Sequence, residues 1–338
     1  MVYGIKRRAA KENNTIMNSK MILGKEIQNK IKGIIYGQVI GDALGLGAEF
    51  MTKEEVEHYY PNGLSDYGQI IQDKHRSRWK NGAWTDDTDQ FLCIMDSLLE
   101  KGSVDLLDIA KRFYQWYKGE PMGIGSTTLK VLSMPQYTKY PEKASHLVWK
   151  IKGKNLAPNG ALMRNAIIGI WDFENQGQVR KNSAEICKLT HYDPRCVDSC
   201  IIHSQIISAQ LAHNGCSSEY LKDLIGLLDP RIKVYLSEYL TADIRTLKLG
   251  ESEHLGYTLK ALSASLWAYT YAESFEQGFL AVINEGGDAD TNGCIAASVL
   301  GAKFGFEKIP KRWVEGILNK KEIDDRIDAL IKLIEISK

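Results

Sequence analysis

An all-α fold is predicted by three features of this chain. Apolar residues recur at three- and four-residue steps along Asp105–Tyr117, Ser183–Leu189, Val197–Ala212, Tyr257–Tyr271 and Glu322–Ile336, the period of an amphipathic helix. Strand-like alternation between turns is scarce. Pro121, Pro135, Pro141, Pro158, Pro194, Pro230 and Pro310 fall between the periodic stretches, where helices would end. No solenoid-length repeat, low-complexity tract or linker divides the chain, so one compact domain over 21–338 is expected.

The first 20 residues carry Lys6, Arg7, Arg8 and Lys11 without an apolar stretch. They are expected to be a flexible tail, with Met17 and Met21 as alternative starts, and the protein is expected to be cytoplasmic. With 338 residues, 44% of them hydrophobic, a sizeable core can be buried. The formal net charge is only +1, so no global field draws extended nucleic acid or an anionic membrane. Six cysteines in a chain of this length read as reduced thiols rather than a disulfide framework. Their one cluster, with His191, Cys196, Cys200 and His203, fits no common zinc spacing.

Along Ile27–Leu46, Gly33, Gly37, Gly41 and Gly45 recur every four residues, one nearly straight row on a helix. Each costs about 1 kcal/mol relative to alanine, so close backbone contact with a partner helix must offset them. Gly293, Ala297, Gly301 and Gly305 form a second row with the same step. Both rows span about 18 Å at the helical rise. Antiparallel packing of the two is expected to set Asp42 and Glu49 beside Asp288 and Asp290. Lys32, Gln38, Asp42 and Glu49 interrupt the first helix too often for a membrane span.

Two acidic motifs open apolar helices: Thr85-Asp86-Asp87-Thr88 before Phe91–Met95, and Asp288-Ala289-Asp290-Thr291 before Ile295–Leu300. Helix capping is the plain reading, with Asp87-x-x-Gln90 at capping-box spacing. Capping needs one acid per helix, not two acids and two threonines, and leaves Gly286-Gly287 without a reason. Carboxylates and hydroxyls are hard oxygen donors that favour Mg²⁺ or Mn²⁺ over zinc or copper. Five acids in one cup, Glu49, Asp86, Asp87, Asp288 and Asp290, would repel strongly, and two divalent ions would neutralise most of that charge.

Two further turns lead into helices. Gly119–Thr128 offers glycines and hydroxyls without acids after Glu120, and its backbone N–H groups could hold a diphosphate. In Pro158-Asn159-Gly160-Ala161-Leu162-Met163-Arg164, Asn159 reads as an N-cap and Arg164 as a solvated or paired charge. No Walker motif and no dinucleotide glycine fingerprint is present. No histidine precedes an aspartate, as a His-Asp phosphohydrolase would need, and the Asp86 motif has Gln90 where helical isoprenoid synthases want a third acid.

The ordered set Gly41-Asp42-Ala43-Leu44-Gly45 with Glu49, Trp84–Gln90, Asn159–Arg164, Thr190-His191 and Gly286–Asn292 resembles the ADP-ribosylglycohydrolase family. That resemblance runs from about Met21 to near the end of the chain. It implies an orthogonal helical bundle with two Mg²⁺ or Mn²⁺ ions held by Thr85, Asp86, Asp87, Asp288, Asp290 and Thr291, with Glu49 beside or on them. Gly123, Gly125, Ser126, Asn159, Gly160 and His191 match positions lining the ADP-ribose cleft. Ala289 replaces the middle threonine of a Gly-Asp-Thr-Asp-Thr motif, at no cost to the ligands. Gly123 stands where nitrogenase-type relatives carry an aspartate, which weakens the case for an arginine-linked substrate.

The activity implied is hydrolysis of the C1″ glycosidic bond of ADP-ribose on a protein side chain, with ADP-ribose as product. Glu49 and Asp87 are the candidate catalytic residues: positive charge develops at the anomeric carbon, and a metal-bound water, or one held by either carboxylate, would attack. The rival readings are an ADP-ribose-binding protein that does not cleave, and a hydrolase of another linkage, on serine, an ADP-ribose polymer, a free nucleotide sugar or a nucleic-acid end.

Overall fold

The computed structural model describes residues 23–337; the expected tail over 1–20 lies outside the described residues. Those residues form sixteen α-helices and six short 3₁₀ turns with no strand, so the all-α reading holds. Extended pairing is limited to one isolated antiparallel bridge between Pro158 and Tyr257. None of the described helices is long and apolar enough to cross a membrane.

Helices Lys25–Gly45 and Ala289–Phe304 form the spine; the first is buried throughout from Gly33 onward and the second along nearly its whole length. They run antiparallel with their small residues interlocked. A Cβ added to Gly33, Gly37, Gly41 or Gly45 would lie 2.6 Å from Gly301 O, 2.6 Å from Ala297 C, 2.5 Å from Cys294 Cα and 2.6 Å from Asp290 Cα. The contact is backbone on backbone, which offsets the helical cost of the glycines. One detail differs from expectation. The second helix ends at Phe304, and Gly305 follows it with φ +80°, still against Gly33, while Ala289 adds a rung opposite Gly45.

Around this spine pack Asp86–Lys101, Thr258–Tyr271, Phe275–Ile283, Ala166–Ile170 and Pro194–His213. A contiguous hydrophobic core joins them, from Ile31 and Ile34 through Phe91, Ile202 and Leu262 to Phe279 and Trp313. The periodic stretches of the sequence all fall on helices, for example Leu106–Lys118 and Lys320–Ser337. Four of the seven prolines act differently from expectation. Pro121 and Pro135 follow helix ends, whereas Pro141, Pro194 and Pro230 occupy the first helical position and Pro310 is an N-cap, so these four begin helices rather than end them. The missing N–H is no loss there, because the first turn has no carbonyl to receive it. All six cysteines are free.

Candidate active site and metal centre

Asp42 and the two acidic motifs meet where the spine helices cross. The carboxylate of Asp42, fully buried on the glycine-rich helix, accepts from Thr85 N–H at 2.9 Å and Thr88 N–H at 2.9 Å. These are donors at the start of helix Asp86–Lys101, whose N-cap Thr85 makes no cap with its own side chain. An acid from another helix thus satisfies the exposed amides. Asp86 and Asp87 are freed from that task, and the capping-box reading fails. Burial, outweighing the hydrogen bonds from Thr85 and Thr88, pushes the Asp42 carboxyl up to about 7.

The second motif is placed by Gly286 and Gly287, both at positive φ, +73° and +71°. Gly287 N–H donates to Met51 O at 2.7 Å, and Phe50 N–H donates back to Gly287 O at 2.6 Å. Any Cβ at these glycines would strike the backbone of Met51 or Leu249. This paired backbone sets Glu49 beside Asp288. Oxygens of Glu49, Asp288 and Asp290 lie within 4.8 Å of one another, the one group of three or more potential ligands among the described residues. Asp288 stands at the N-cap of helix Ala289–Phe304 but makes no capping hydrogen bond with its side chain; its Oδ2 accepts from Asn159 Nδ2 at 2.7 Å. Asn159 therefore bridges to the second acidic motif instead of capping a helix.

A cleft of about 610 Å³ opens over this cup. All thirteen residues singled out from the sequence line it: Glu49, Thr85, Asp86, Asp87, Gly123, Gly125, Ser126, Asn159, Gly160, His191, Asp288, Asp290 and Thr291. Asp89 turns away, held by the indole N–H groups of Trp84 at 2.9 Å and Trp116 at 3.0 Å. The His191, Cys196, Cys200 and His203 set does not converge on a common point.

The electrostatics of the cup fit bound cations. No ion pair among the described residues reaches Asp42, Asp86, Asp87, Asp288 or Asp290, while Glu49 is paired with His75. Burial, then repulsion from Asp42, Glu49 and Asp288, pushes Asp86 up to about 7. Burial and neighbouring carboxylates hold Asp87 and Asp290 well above the usual range. Closely packed hard oxygens with no protein cation among the aspartates suit a divalent ion.

Sequence reasoning missed one wall of the cleft. The segment Asp73–Trp79 is anchored by the buried Arg76, whose Nε donates to Gly47 O at 2.8 Å and whose Nη2 donates to Glu49 O. His75 is thereby set with Nε2 2.6 Å from Glu49 Oε2. Arg78 Nη2 donates to His75 Nδ1 at 2.7 Å, so that nitrogen accepts and Nε2–H donates to Glu49. His75 packs between Phe50 and Trp79, with ring centroids at 5.2 and 5.4 Å, and Arg78 covers the Trp79 ring at 4.3 Å. These residues sit in irregular backbone without periodicity, so no local signal marked them.

The ADP-ribosylglycohydrolase family model matches residues 24–337, almost the whole chain. The chain belongs to the ADP-ribosylglycohydrolase family. It is 25% identical to the ADP-ribosyl-[dinitrogen reductase] glycohydrolase of Rhodospirillum rubrum, over 92% of this chain and 98% of that one. It is 26% identical to an ADP-ribosylarginine hydrolase of Serratia proteamaculans, covering 92% and 81%. The ADP-ribosylhydrolase ARH3 of Gallus gallus is 23% identical, covering 90% and 93%. A solved ADP-ribosylglycohydrolase-related protein complex superposes with TM-score 0.71 at 26% identity, over 92% of this chain and 99% of that chain. The glycohydrolase fold thus extends over the helices that carry both acidic motifs. In this member of the family, Gly123 leaves room beside the cup: a Cβ there would lie 3.0 Å from Asp86 Oδ1.

Proposed function

We propose that this protein hydrolyses the C1″ glycosidic bond joining ADP-ribose to a protein side chain, using two Mg²⁺ or Mn²⁺ ions. The observation that carries this reading is the convergence of Asp86-Asp87 and Asp288–Asp290, two hundred residues apart in sequence, on one cleft with Glu49 at its edge. Thr85, Asp86, Asp87, Asp288, Asp290 and Thr291 would hold the ions, with Glu49 beside or on them. When bound, the ions supply charge neutralisation and a grip on the 2″- and 3″-hydroxyls of the ribose.

The remaining work falls to the chain. The cleft walls at Gly123–Ser126 and Asn159-Gly160 orient the nucleotide, so that the anomeric carbon reaches Glu49. Glu49 Oε2 is occupied by His75, leaving Oε1 to hold the attacking water or pass a proton to the leaving oxygen or nitrogen. Asp87, buried deeper, adds negative charge where positive charge develops on the sugar. The substrate is an ADP-ribosylated protein.

Proteins carrying arginine-linked or serine-linked ADP-ribose, incubated side by side with Mg²⁺ or Mn²⁺, test this directly. Release of free ADP-ribose that stops on adding EDTA is expected from at least one of them. Binding of ADP-ribose without release from either would replace this reading with that of a non-cleaving binder.

A further inference from the structure

Arg164 is a buried cation without a carboxylate. Its side chain is fully buried, and no ion pair among the described residues includes it. The guanidinium lies over the Phe113 ring, 4.3 Å from its centroid. It donates to two neutral oxygens: Nη1 to Gln90 Oε1, and Nη2 to Thr190 Oγ1 at 2.5 Å. Burying a charge in this way is costly, so the partners it orders are of interest.

A guanidinium only donates, so each partner must present an acceptor and turn its donor elsewhere. Gln90 turns its carbonyl to Arg164, which aims its amide Nε2 at Asp86 Oδ2, 3.3 Å away. Thr190 is buried, and its hydroxyl has His191 Nδ1 at 2.7 Å. Its oxygen accepts from Arg164, and the buried hydroxyl has His191 Nδ1 as its one acceptor among the described residues, so it gives its proton to that nitrogen. An accepting Nδ1 carries no proton, and the neutral ring then holds its proton on Nε2. Burial and the positive Arg164 keep the ring neutral, with its pKa pushed down to about 3. The Nε2 edge is the one that meets the cleft wall: a Cβ at Gly160 would lie 3.1 Å from His191 Cε1 and 3.2 Å from Nε2.

We propose that Arg164 is a positioning residue that, through the Thr190 hydroxyl, fixes His191 as an Nε2–H donor facing the cleft. The same cation points the Gln90 amide at Asp86, so one buried charge sets hydrogen-bond direction on both sides of the cleft. The ligand served by the donor, a phosphate or hydroxyl oxygen of a nucleotide, rests on the function proposed above. The tautomer itself does not.

Long-range ¹H–¹⁵N correlation spectra of the whole protein with ¹⁵N-labelled histidine read the tautomer directly. The His191 signals are identified by their loss in His191→Gln. The expected result is an Nε2–H pattern in the wild type and in Thr190→Ser, and a mixed or Nδ1–H pattern in Thr190→Val, with both variants folded by circular dichroism. Thr190→Val should also weaken ADP-ribose binding roughly three- to tenfold, and Thr190→Ser should restore it. An Nδ1–H pattern in the wild type, or an unchanged pattern in Thr190→Val, overturns the inference. Wild-type protein that shows the Nε2–H pattern yet binds no ADP-ribose supports the positioning role and instead refutes the function proposed for the cleft.

Discussion

Glu49 accepts from His75 Nε2 at 2.6 Å and lies within 4.8 Å of the Asp288 and Asp290 oxygens, so one side chain faces both the rim and the cup. Glu49→Gln keeps the shape but loses the ability to exchange a proton. It should bind ADP-ribose and turn over at least ~10²-fold more slowly, as single-turnover release would show. His75 touches neither acidic motif directly. His75→Ala should lower kcat about tenfold with little change in KM, and His75→Gln, which retains an N–H donor, should recover part of that loss. These residues differ in how visible they were beforehand. Asp86, Asp87, Asp288 and Asp290 stand in short motifs whose surplus acids and hydroxyls exceed what capping requires. His75, Arg78 and Trp79 belong to a loop whose place beside Glu49 depends on Arg76 reaching the Gly47 and Glu49 carbonyls, a contact no spacing rule reveals.

Among elements, the helix Asp86–Lys101 begins under the Asp42 carboxylate rather than under its own N-cap. Asp42→Ala should cost about 1–3 kcal/mol, measured by chemical denaturation, because two buried N–H groups lose their acceptor. The spine makes a sharper demand. A Cβ at Gly37 would sit 2.6 Å from the Ala297 carbonyl carbon, against main chain that cannot give way by rotating. Gly37→Ala should therefore destabilise by about 3 kcal/mol despite its better helix propensity, as a lower denaturation midpoint would show. The four-residue step of the small residues made the antiparallel pairing legible in advance. The end of the ladder was not legible, since whether Gly305 stays helical depends on its left-handed φ of +80° and on Asn29 packed beside it. Pro141, Pro194, Pro230 and Pro310 were read with the right boundaries and the wrong polarity, because breaking a helix and opening one look alike in a sequence.

For the molecule as a whole, two neutral histidines make stability depend on pH. His203 lies fully buried between Ser265 Oγ at 3.1 Å and Ser298 Oγ at 3.2 Å, and burial pushes its pKa down to about 3. The unfolded chain takes up this proton near pH 6.5, so the folded state is favoured in full above 6.5 and loses ground as pH falls toward 3. His203→Gln should flatten that part of the stability–pH curve by up to about 1.4 kcal/mol per pH unit, measured by urea midpoints from pH 7 to 4. Divalent ions act in the opposite direction. At a hundredfold excess over Kd, Mg²⁺ or Mn²⁺ should add about 2.7 kcal/mol, seen as a Tm increase that EDTA reverses. The interlocked glycine spine has a mechanical corollary. Because Gly45 meets the main chain of Asp290 directly, prising the two acid-bearing halves apart would peel away backbone contacts along the entire crossing. Any give at the cleft is thus left to side chains of the outer lip, where Phe50 and Met122 stand more than half exposed.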